Sequence, residues 1–383
     1  MKKRKVTVTT GTRADYGLLR PLLYKIKKSH KLNLYLIVTG MHLSKKHGLT
    51  IREIKNDGFK VHAIIDMIPK GDSPYFMAHA LGEGILGFST VLNKIHPDLN
   101  IILGDRDEML ASALAASHLN IPNVHIHGGD ISGGIDEYNR HAITKLSNIH
   151  FAATRKSRER IIRMGENPEL VFFTGSPGVD EIRENKITSK EELEKKYRLK
   201  LTGEEIILIQ HPVTTQSNES GKQIQNTLQA LIRFKKTIIA IMPNSDAGSK
   251  KIFKQLEFFA KKYDFIHMYP TLPRSDYLGM LKNCGVLVGN SSSGLIEASY
   301  FNIPVVNIGD RQKNREKGKR VVDTNGNDTR SIYAAIKKAM CSIRLKKNYD
   351  TLIYGDGTSS SKMLHYLESI PINSKLIEKQ ISY

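Results

Sequence analysis

Short apolar strands alternate with amphipathic helices along this chain, and the alternation occurs twice. The first series starts with Val6 to Thr10, which ends at a glycine and is followed by leucines at helical spacing. A second series begins near Ile206. Apolar strands that alternate with helices form a parallel sheet covered on both faces. The sequence therefore predicts an α/β protein of two Rossmann-like, doubly wound domains, with a ligand cleft where the carboxyl ends of the strands meet.

The length of the chain supports two domains as well. Its 383 residues exceed the range over which a single hydrophobic core keeps growing. The alternation weakens over residues 175–190, which read GSPGVDEI and then a charged stretch, and we interpret this segment as the interdomain linker. The predicted domains are 1–180 and 181–383.

The net charge of +20 could attract nucleic acid, a membrane surface or phosphorylated small molecules. Most lysines are scattered over helix faces, with one denser run from Arg311 to Arg320 and few aromatic residues among them. This pattern favours solvated surface over a nucleic-acid groove. Cys284 and Cys341 have no CxxC spacing, and no stretch approaches eighteen consecutive apolar residues. We therefore expect a cytoplasmic protein that binds neither nucleic acid nor membrane.

Two motifs of the first half follow predicted strands. In GTRADYG (Gly11 to Gly17), a helix amino end and Arg13 could bind a phosphate, or Asp15 could simply cap the helix in a plain turn. LGDRDE places Asp105, Arg106 and two further carboxylates directly after an apolar strand. One carboxylate is enough to cap a helix, so we expect a functional role for at least one of them.

The segment HIHGGDISGGIDEYNRHAITK joins two histidines to a glycine-rich loop and a helix. A metal site built on His125 and His127 is conceivable, but acid/base chemistry by His127 and Asp136 is the interpretation we favour, with a solvated loop as the alternative. The GxGxxG pattern that starts at Gly82 lacks a preceding strand, which indicates helix packing rather than nucleotide binding.

Polar side chains also follow the strands of the second half. The pattern QHPVTT places His211 after one strand, and MPNSDAGSK places Asn244 after the next. In GNSSSGLIE, Ser291 and Ser292 precede a helix whose amino end could hold a diphosphate, with Glu297 available to ribose hydroxyls; a serine-rich helix cap is the alternative. Arg311 follows on a loop that we expect near the same cleft edge.

Taken together, GTRADYG, GDRDE, HIHGGDISGGIDE with RHAITK, QHPVTT, PNSDAGSK, GNSSSG and GDRQKNRE resemble the hydrolysing UDP-N-acetylglucosamine 2-epimerase family in order and spacing. The resemblance spans nearly the whole chain. It implies the two-domain glycosyltransferase-B fold, a UDP-sugar substrate, a homodimer, and neither metal nor redox cofactor. It also implies that the tail from Ser359 to Tyr383 crosses back to the first domain.

The resemblance further implies residue roles where the motifs match. Asp105, His127 and Asp136 would be the catalytic group, although many relatives have glutamate in place of His127. The remaining matched positions would surround the diphosphate, the ribose and the rest of the nucleotide; they are Arg13, Asp15, Arg106, His211, Asn244, Ser291, Ser292, Glu297 and Arg311.

The implied reaction converts a UDP-linked 2-acetamido sugar and water to UDP and the free sugar inverted at C2, through a 2-acetamidoglycal. Asp105 or Asp136 would remove the C2 proton, and a protonated His127 could return one from the other face. Family members act on UDP-N-acetylglucosamine or on UDP-2,4-diacetamido-2,4,6-trideoxyglucose, in sialic or legionaminic acid biosynthesis. Met41, His42, Met77 and His79 are candidates to surround C4 and C6.

Three other functions remain possible at this stage. A non-hydrolysing 2-epimerase would return UDP to the glycal, but such relatives usually read GTRPE and HVEAGLR where this chain reads GTRAD and HIHGGD. A glycosyltransferase of the same fold would need an acceptor. A non-catalytic nucleotide-sugar sensor would bind UDP without turnover.

Overall fold

The computed structural model describes residues 3–45, 48–71, 73–131, 134–184, 187–244, 246–341 and 353–382, and contains two parallel β-sheets. The strands of the first sheet are β1 (Arg4–Thr10), β2 (Leu32–Thr39), β3 (Val61–Ile65), β4 (Leu99–Leu103), β5 (Asn123–Ile126), β6 (Ile149–Ala152) and β7 (Val171–Phe173). The strands of the second sheet are β8 (Ile206–Ile209), β9 (Ile238–Ile241), β10 (Ile266–Tyr269), β11 (Val286–Gly289), β12 (Val305–Ile308) and β13 (Val321–Thr324).

Helices connect the strands and cover both sheets. In the first half they are α1 (Arg13–Lys28), α2 (Ile51–Asn56), α3 (Pro74–Ile95), α4 (Asp107–His118), α5 (Ile135–Leu146), α6 (Arg155–Arg163), α7 (Pro177–Glu184) and α8 (Lys190–Tyr197). In the second half they are α9 (Ser220–Leu231), α10 (Ser249–Lys262), α11 (Arg274–Asn283), α12 (Ser293–Tyr300), α13 (Thr329–Cys341), α14 (Ser359–Ser369) and α15 (Ser374–Ile377). None of the described helices is long and apolar enough to cross a membrane.

Alternation along each buried strand supplies a core on both faces of the first sheet. Leu36 and Val38 of β2 pack into the cluster formed with α1 and α14, whereas Ile37 between them packs into the cluster with α3 and α4. Both clusters are almost fully buried, as expected when helices cover a parallel sheet on two sides. Helices α9, α10 and α13 contribute to a separate core beneath the second sheet.

The strand orders are β3-β2-β1-β4-β5-β6-β7 and β10-β9-β8-β11-β12-β13, and all recorded strand pairs are parallel. The order changes direction between β1 and β4 in the first sheet and between β8 and β11 in the second. The loops that follow these four strands therefore open a crevice at each sheet, which is where doubly wound proteins bind ligands.

The segment interpreted as a linker is largely a buried helix. Residues 177–184 form α7, which packs on α1, so the segment interpreted as the interdomain linker contains a helix. Asp180 of α7 accepts hydrogen bonds from the backbone N–H groups of Ser359 (2.9 Å) and Ser360 (2.6 Å) at the start of α14. Helix α14 in turn packs on α1, a helix that covers the first sheet. The described part of the tail therefore lies against the first half of the chain.

Candidate active site in the interdomain cleft

A cleft with an empty volume of about 1400 Å³ lies between the carboxyl ends of the two sheets. Its walls contain the loops after β1, β4, β8 and β11, the four strands that flank the two changes of direction. The lining includes ten of the twelve predicted site residues: Arg13, Asp15, Asp105, Arg106, His211, Asn244, Ser291, Ser292, Glu297 and Arg311. The other two, His127 and Asp136, lie behind this lining in the described part of the chain. Asp136 contacts Arg311, and the backbone oxygen of His127 contacts Arg140, the partner of Asp105.

In the turn after β1, Asp15 shapes the backbone. Its carboxylate accepts hydrogen bonds from the N–H of Thr12 (2.8 Å) and of Gly11 (3.2 Å), and Thr12 and Asp15 form a capping box at the start of α1. Burial raises the pKa of Asp15 to about 6. Arg13 reaches across the cleft, with one nitrogen on Glu53 (2.5 Å) and another on Thr271 of the second half. Asp15 therefore takes part in capping the helix, and Arg13 connects the first half of the chain to the second.

Asp105 lies after β4 and forms an ion pair with Arg140 of α5. Arg140 is 3% exposed, and its other terminal nitrogen donates to the backbone oxygen of His127 at 2.8 Å. A guanidinium held at two points stabilises the charged form of the carboxylate and fixes its orientation. Asp105 is thereby positioned at the cleft wall as a carboxylate, the form required of a base.

His127 is buried and has a left-handed backbone conformation, with φ of +65°. Such a conformation is uncommon for a residue other than glycine and is often found at functional sites. Burial lowers the pKa of His127 to about 4, although Asp130 opposes this shift. The imidazole is therefore neutral near pH 7, and its Nε2 contacts no hydrogen-bond partner among the described residues. The prediction that His127 donates a proton as an imidazolium does not fit this environment.

Asp136 is in the first turn of α5, and its carboxylate receives Nη2 of Arg311 from the second half of the chain at 2.9 Å. Burial and then the nearby charge of Asp105 raise the pKa of Asp136 to about 7, even though Arg311 opposes the shift. Each of these two neighbouring carboxyl groups thus has an arginine partner, and Asp136 can hold a proton at neutral pH. A carboxyl group with a raised pKa can serve as an acid within a site.

Further ion pairs near the cleft join the first half of the chain to the second. Beside the pair of Asp136 and Arg311, Arg106 contacts Asp246 at 3.2 Å, and Arg315 contacts Asp130. The side chains of Arg315 and Asp130 are only 5% and 2% exposed. The dense basic run of the sequence is therefore not simply solvated, because the partly buried Arg311 and the buried Arg315 pair with acidic residues in the first half.

On the opposite wall, His211 faces the loop that follows β11. Its Nδ1 accepts a hydrogen bond from the N–H of Asn244 at 3.0 Å, and burial lowers its pKa to about 3. The ring is therefore neutral with its proton on Nε2, which can donate to an oxygen in the cleft. Ser291 and Ser292 line the cleft at the amino end of α12, where backbone N–H groups favour a phosphate.

Gly289, at the end of β11, has a close approach that only glycine allows. Its φ is +135°, and a Cβ there would lie 1.9 Å from the backbone oxygen of Ile209. Without a side chain at this position the loop with Ser291 and Ser292 lies against the end of β8. The structure therefore explains why the motif begins with glycine.

Glu297 of α12 is buried and bound by Arg274, whose guanidinium nitrogens lie 2.7 Å from Glu297 and 2.9 Å from Glu181. Arg274 also lines the cleft, together with Thr271 and Tyr277. The sequence analysis did not select Arg140 or Arg274, which lie in α5 and α11 and not directly after a strand. Only their acidic partners, far away in the sequence, distinguish them from surface arginines.

The other histidine considered for metal binding has ordinary partners. His125 Nε2 lies 2.8 Å from the backbone oxygen of Gly104, and Nδ1 lies 3.2 Å from Thr144 Oγ1. Within the described ranges, no group of three histidine, cysteine or acidic side chains has the arrangement of a metal site. The glycines at positions 82, 84 and 87 lie inside α3, which confirms that they do not form a nucleotide-binding turn.

Known proteins share both the sequence and the architecture. Residues 24–368 match the family described as UDP-N-acetylglucosamine 2-epimerase. A Legionella pneumophila protein named UDP-N,N'-diacetylbacillosamine 2-epimerase (hydrolyzing) is 40% identical over 380 residues, 99% of this chain and 100% of that protein. A Campylobacter jejuni protein named GDP/UDP-N,N'-diacetylbacillosamine 2-epimerase (hydrolyzing) is 34% identical over 86% of each chain.

The fold of a solved relative agrees with these matches. The UDP-GlcNAc 2-epimerase from Neisseria meningitidis, solved with UDP-GlcNAc bound, superposes with a TM-score of 0.79 over 95% of this chain and 99% of that one, at 18% identity. Two parallel-sheet domains around a cleft confirm the predicted glycosyltransferase-B architecture. With the match over most of its length, this chain belongs to the UDP-N-acetylglucosamine 2-epimerase family.

Proposed function

We propose that this enzyme hydrolyses a UDP-linked 2-acetamido sugar with inversion at C2, releasing UDP and the free sugar. The observation that carries the proposal is the pair of neighbouring carboxyl groups, Asp105 bound to Arg140 and Asp136 bound to Arg311 with its pKa raised to about 7. Both are adjacent to a cleft whose other wall offers His211 and the amino end of α12 to a diphosphate.

The first step is an elimination in which Asp105 removes the C2 proton while the bond between C1 and the diphosphate oxygen breaks. The electron pair of the C2–H bond forms the C1–C2 double bond of the 2-acetamidoglycal, and the bonding pair at C1 leaves with UDP. His211, as an Nε2–H donor, and the positive charge of Arg311 stabilise the departing diphosphate. Asp105 suits the base role because Arg140 keeps it charged.

The second step adds water across the glycal. Asp136 donates its proton to C2 from the opposite face, and a water oxygen bonds to C1 and passes its proton to the Asp136 carboxylate, which gives the free C2 epimer. Asp105 releases the proton taken in the first step to solvent, so both groups return to their starting states. This assignment replaces His127 as the acid, since its imidazole is neutral near pH 7. His127 instead orients Arg140 through its backbone oxygen.

The substrate we favour is UDP-2,4-diacetamido-2,4,6-trideoxyglucose, with UDP-N-acetylglucosamine as the alternative donor. The Legionella and Campylobacter relatives, both named for diacetylbacillosamine epimerisation with hydrolysis, support this choice. The pathway would be legionaminic or sialic acid biosynthesis in the cytoplasm, and the family resemblance favours a homodimer.

Proton NMR in deuterated water tests the proposal with either donor. We expect free UDP and a free manno-configured sugar deuterated at C2. An equilibrium of two UDP-sugars would instead indicate the non-hydrolysing reaction, and no reaction with either donor would favour a glycosyltransferase or a sensor. The Asp136→Asn variant should lose turnover, whereas Glu137→Gln, a matched change at the next residue of α5, should retain it.

A further inference from the structure

A smaller cavity opens beside the cleft and is lined mainly by methionine and other apolar side chains. Met41 follows β2, Met67 follows β3 and Met77 is in α3, and with Ile68, Pro69 and Ala80 they line a space of about 430 Å³ that is partly open to solvent. We call this cavity the methionine annex. Met41 and Arg106 line both the annex and the large cleft, so the two spaces adjoin next to Asp105.

The charged groups in the annex walls already have partners. Arg106 contacts Glu108 at 3.1 Å and Asp246 at 3.2 Å, and the Asp107 carboxylate accepts a hydrogen bond from Asn139 at 2.8 Å. An anionic ligand would have to break the pairs of Arg106, at the cost of leaving buried carboxylates unpaired. The wall that remains to be covered consists of thioether and aliphatic groups, which suits a neutral ligand with methyl groups.

The position of the annex indicates which part of a substrate reaches it. All its lining residues except Asp246 come from the first half of the chain, whereas the candidate diphosphate ligands His211, Ser291 and Ser292 come from the second half. A sugar whose C1 faces those ligands and whose C2 faces Asp105 extends its far side, with C4 and C6, away from the diphosphate. The annex is the apolar space next to Asp105 on the wall that this side would face.

We infer that the methionine annex receives the substituents at C4 and C6 of the sugar, and that Met41, Met67 and Met77 select a 4-acetamido, 6-methyl sugar over one with hydroxyls. This inference rests on the proposed function. The 6-methyl and the acetyl methyl are apolar groups that a thioether wall can cover, whereas the hydroxyls of N-acetylglucosamine would lose hydrogen bonds to water there. An apolar pocket discriminates by about 10- to 200-fold for each methyl or methylene group.

The test compares both donors in the wild type and in Met77→Gln, a substitution at a half-buried position of α3. We expect kcat/KM for the diacetamido-trideoxy donor to fall about 10-fold or more, and kcat/KM for UDP-N-acetylglucosamine to change less than twofold. Met77→Leu should keep the wild-type preference, because it preserves an apolar side chain of similar volume. Met340→Gln, on α13 at the second core, is the matched control and should not alter the preference.

Equal loss for both donors, or an unchanged preference in Met77→Gln, would overturn the inference. Calorimetric Kd values for both donors, measured on the same proteins, separate this outcome from failure of the proposed function. If the wild type turns over neither donor, the proposed function fails. The Kd values still test whether the methionine annex receives the C4 and C6 substituents. If Met77→Gln selectively weakens binding of the diacetamido-trideoxy donor, the result supports the proposed role of the methionine annex. If it does not, the result refutes that role.

Discussion

Replacing Asp136 with asparagine tests the electrostatics on which the proposed acid depends. The pKa of this carboxyl is about 7, against an ordinary value of 3.8, with burial as the largest cause. The folded protein therefore holds this proton more tightly than the unfolded chain, so the contribution of Asp136 to stability decreases as pH rises from about 4 and levels off above pH 7. Asparagine has the shape of the neutral acid and lacks this titration.

The size of the effect follows from the two pKa values. Each pKa unit corresponds to 1.36 kcal/mol, so the wild type should lose about 2 kcal/mol relative to Asp136→Asn between pH 5.5 and 8.5. Urea titrations of both proteins at intervals across this range measure the difference. The initial rate at which the free C2-inverted sugar forms, measured in parallel, should fall about 10²- to 10⁴-fold in the variant, as for loss of a positioned acid.

Two results would refute this reasoning. Parallel stability curves for wild type and Asp136→Asn would show that Asp136 has no raised pKa in the folded protein. A wild-type rate that increases as pH rises through 7 would show that the residue acts as a base. Asp310→Asn is the matched control, because the side chain of Asp310 is 59% exposed on the surface, and its stability curve should follow that of the wild type.

Further variants test other parts of the site. Arg315→Met leaves the buried Asp130 unpaired and should lower the free energy of unfolding in urea by about 3 to 5 kcal/mol, part of which Asp130→Asn in the same chain should restore. His127→Gln should leave the pH profile of kcat between 6 and 8 unchanged, because the pKa of His127 is about 4. If the variant lost a rise or fall of kcat in that pH range, the result would contradict this expectation. Gly289→Ala should abolish UDP binding in calorimetry, since its Cβ would lie 1.9 Å from a backbone oxygen of β8, whereas Gly82→Ala, whose Cβ meets no described atom within 4 Å, should bind normally.

The central strands and the residues that follow them could be predicted from the sequence, because both signals are local. Strands such as β1 and β4 are buried on both faces and appear as apolar runs, and a polar residue after such a run must lie at the carboxyl edge of the sheet. The edge strands β3 and β13 escaped prediction because exposed side chains interrupt their apolar pattern. Helix α7 escaped because its glycine and proline are typical of a loop.

The pairing of charges could not be predicted in the same way. Asp136 and Arg311 are 175 residues apart, and Asp130 and Arg315 are 185 residues apart. Nothing in either local sequence indicates its partner, so the sequence could place Arg311 near the cleft edge but could not pair it with Asp136. The protonation of His127 was also beyond local reasoning, because it depends on complete burial among groups from several elements.

In the proposed function, the pair of Arg311 and Asp136 would connect substrate binding to the chemistry. Arg311 lines the cleft where a diphosphate would bind, and at the same time it lowers the pKa of Asp136. A diphosphate that draws the guanidinium toward itself weakens that opposing effect, so Asp136 holds its proton more tightly while UDP is present. The acid is then protonated when a sugar nucleotide occupies the cleft, and it becomes easier to ionise once UDP has left. Because the two residues belong to opposite walls, this coupling requires both halves of the chain to be closed around the substrate.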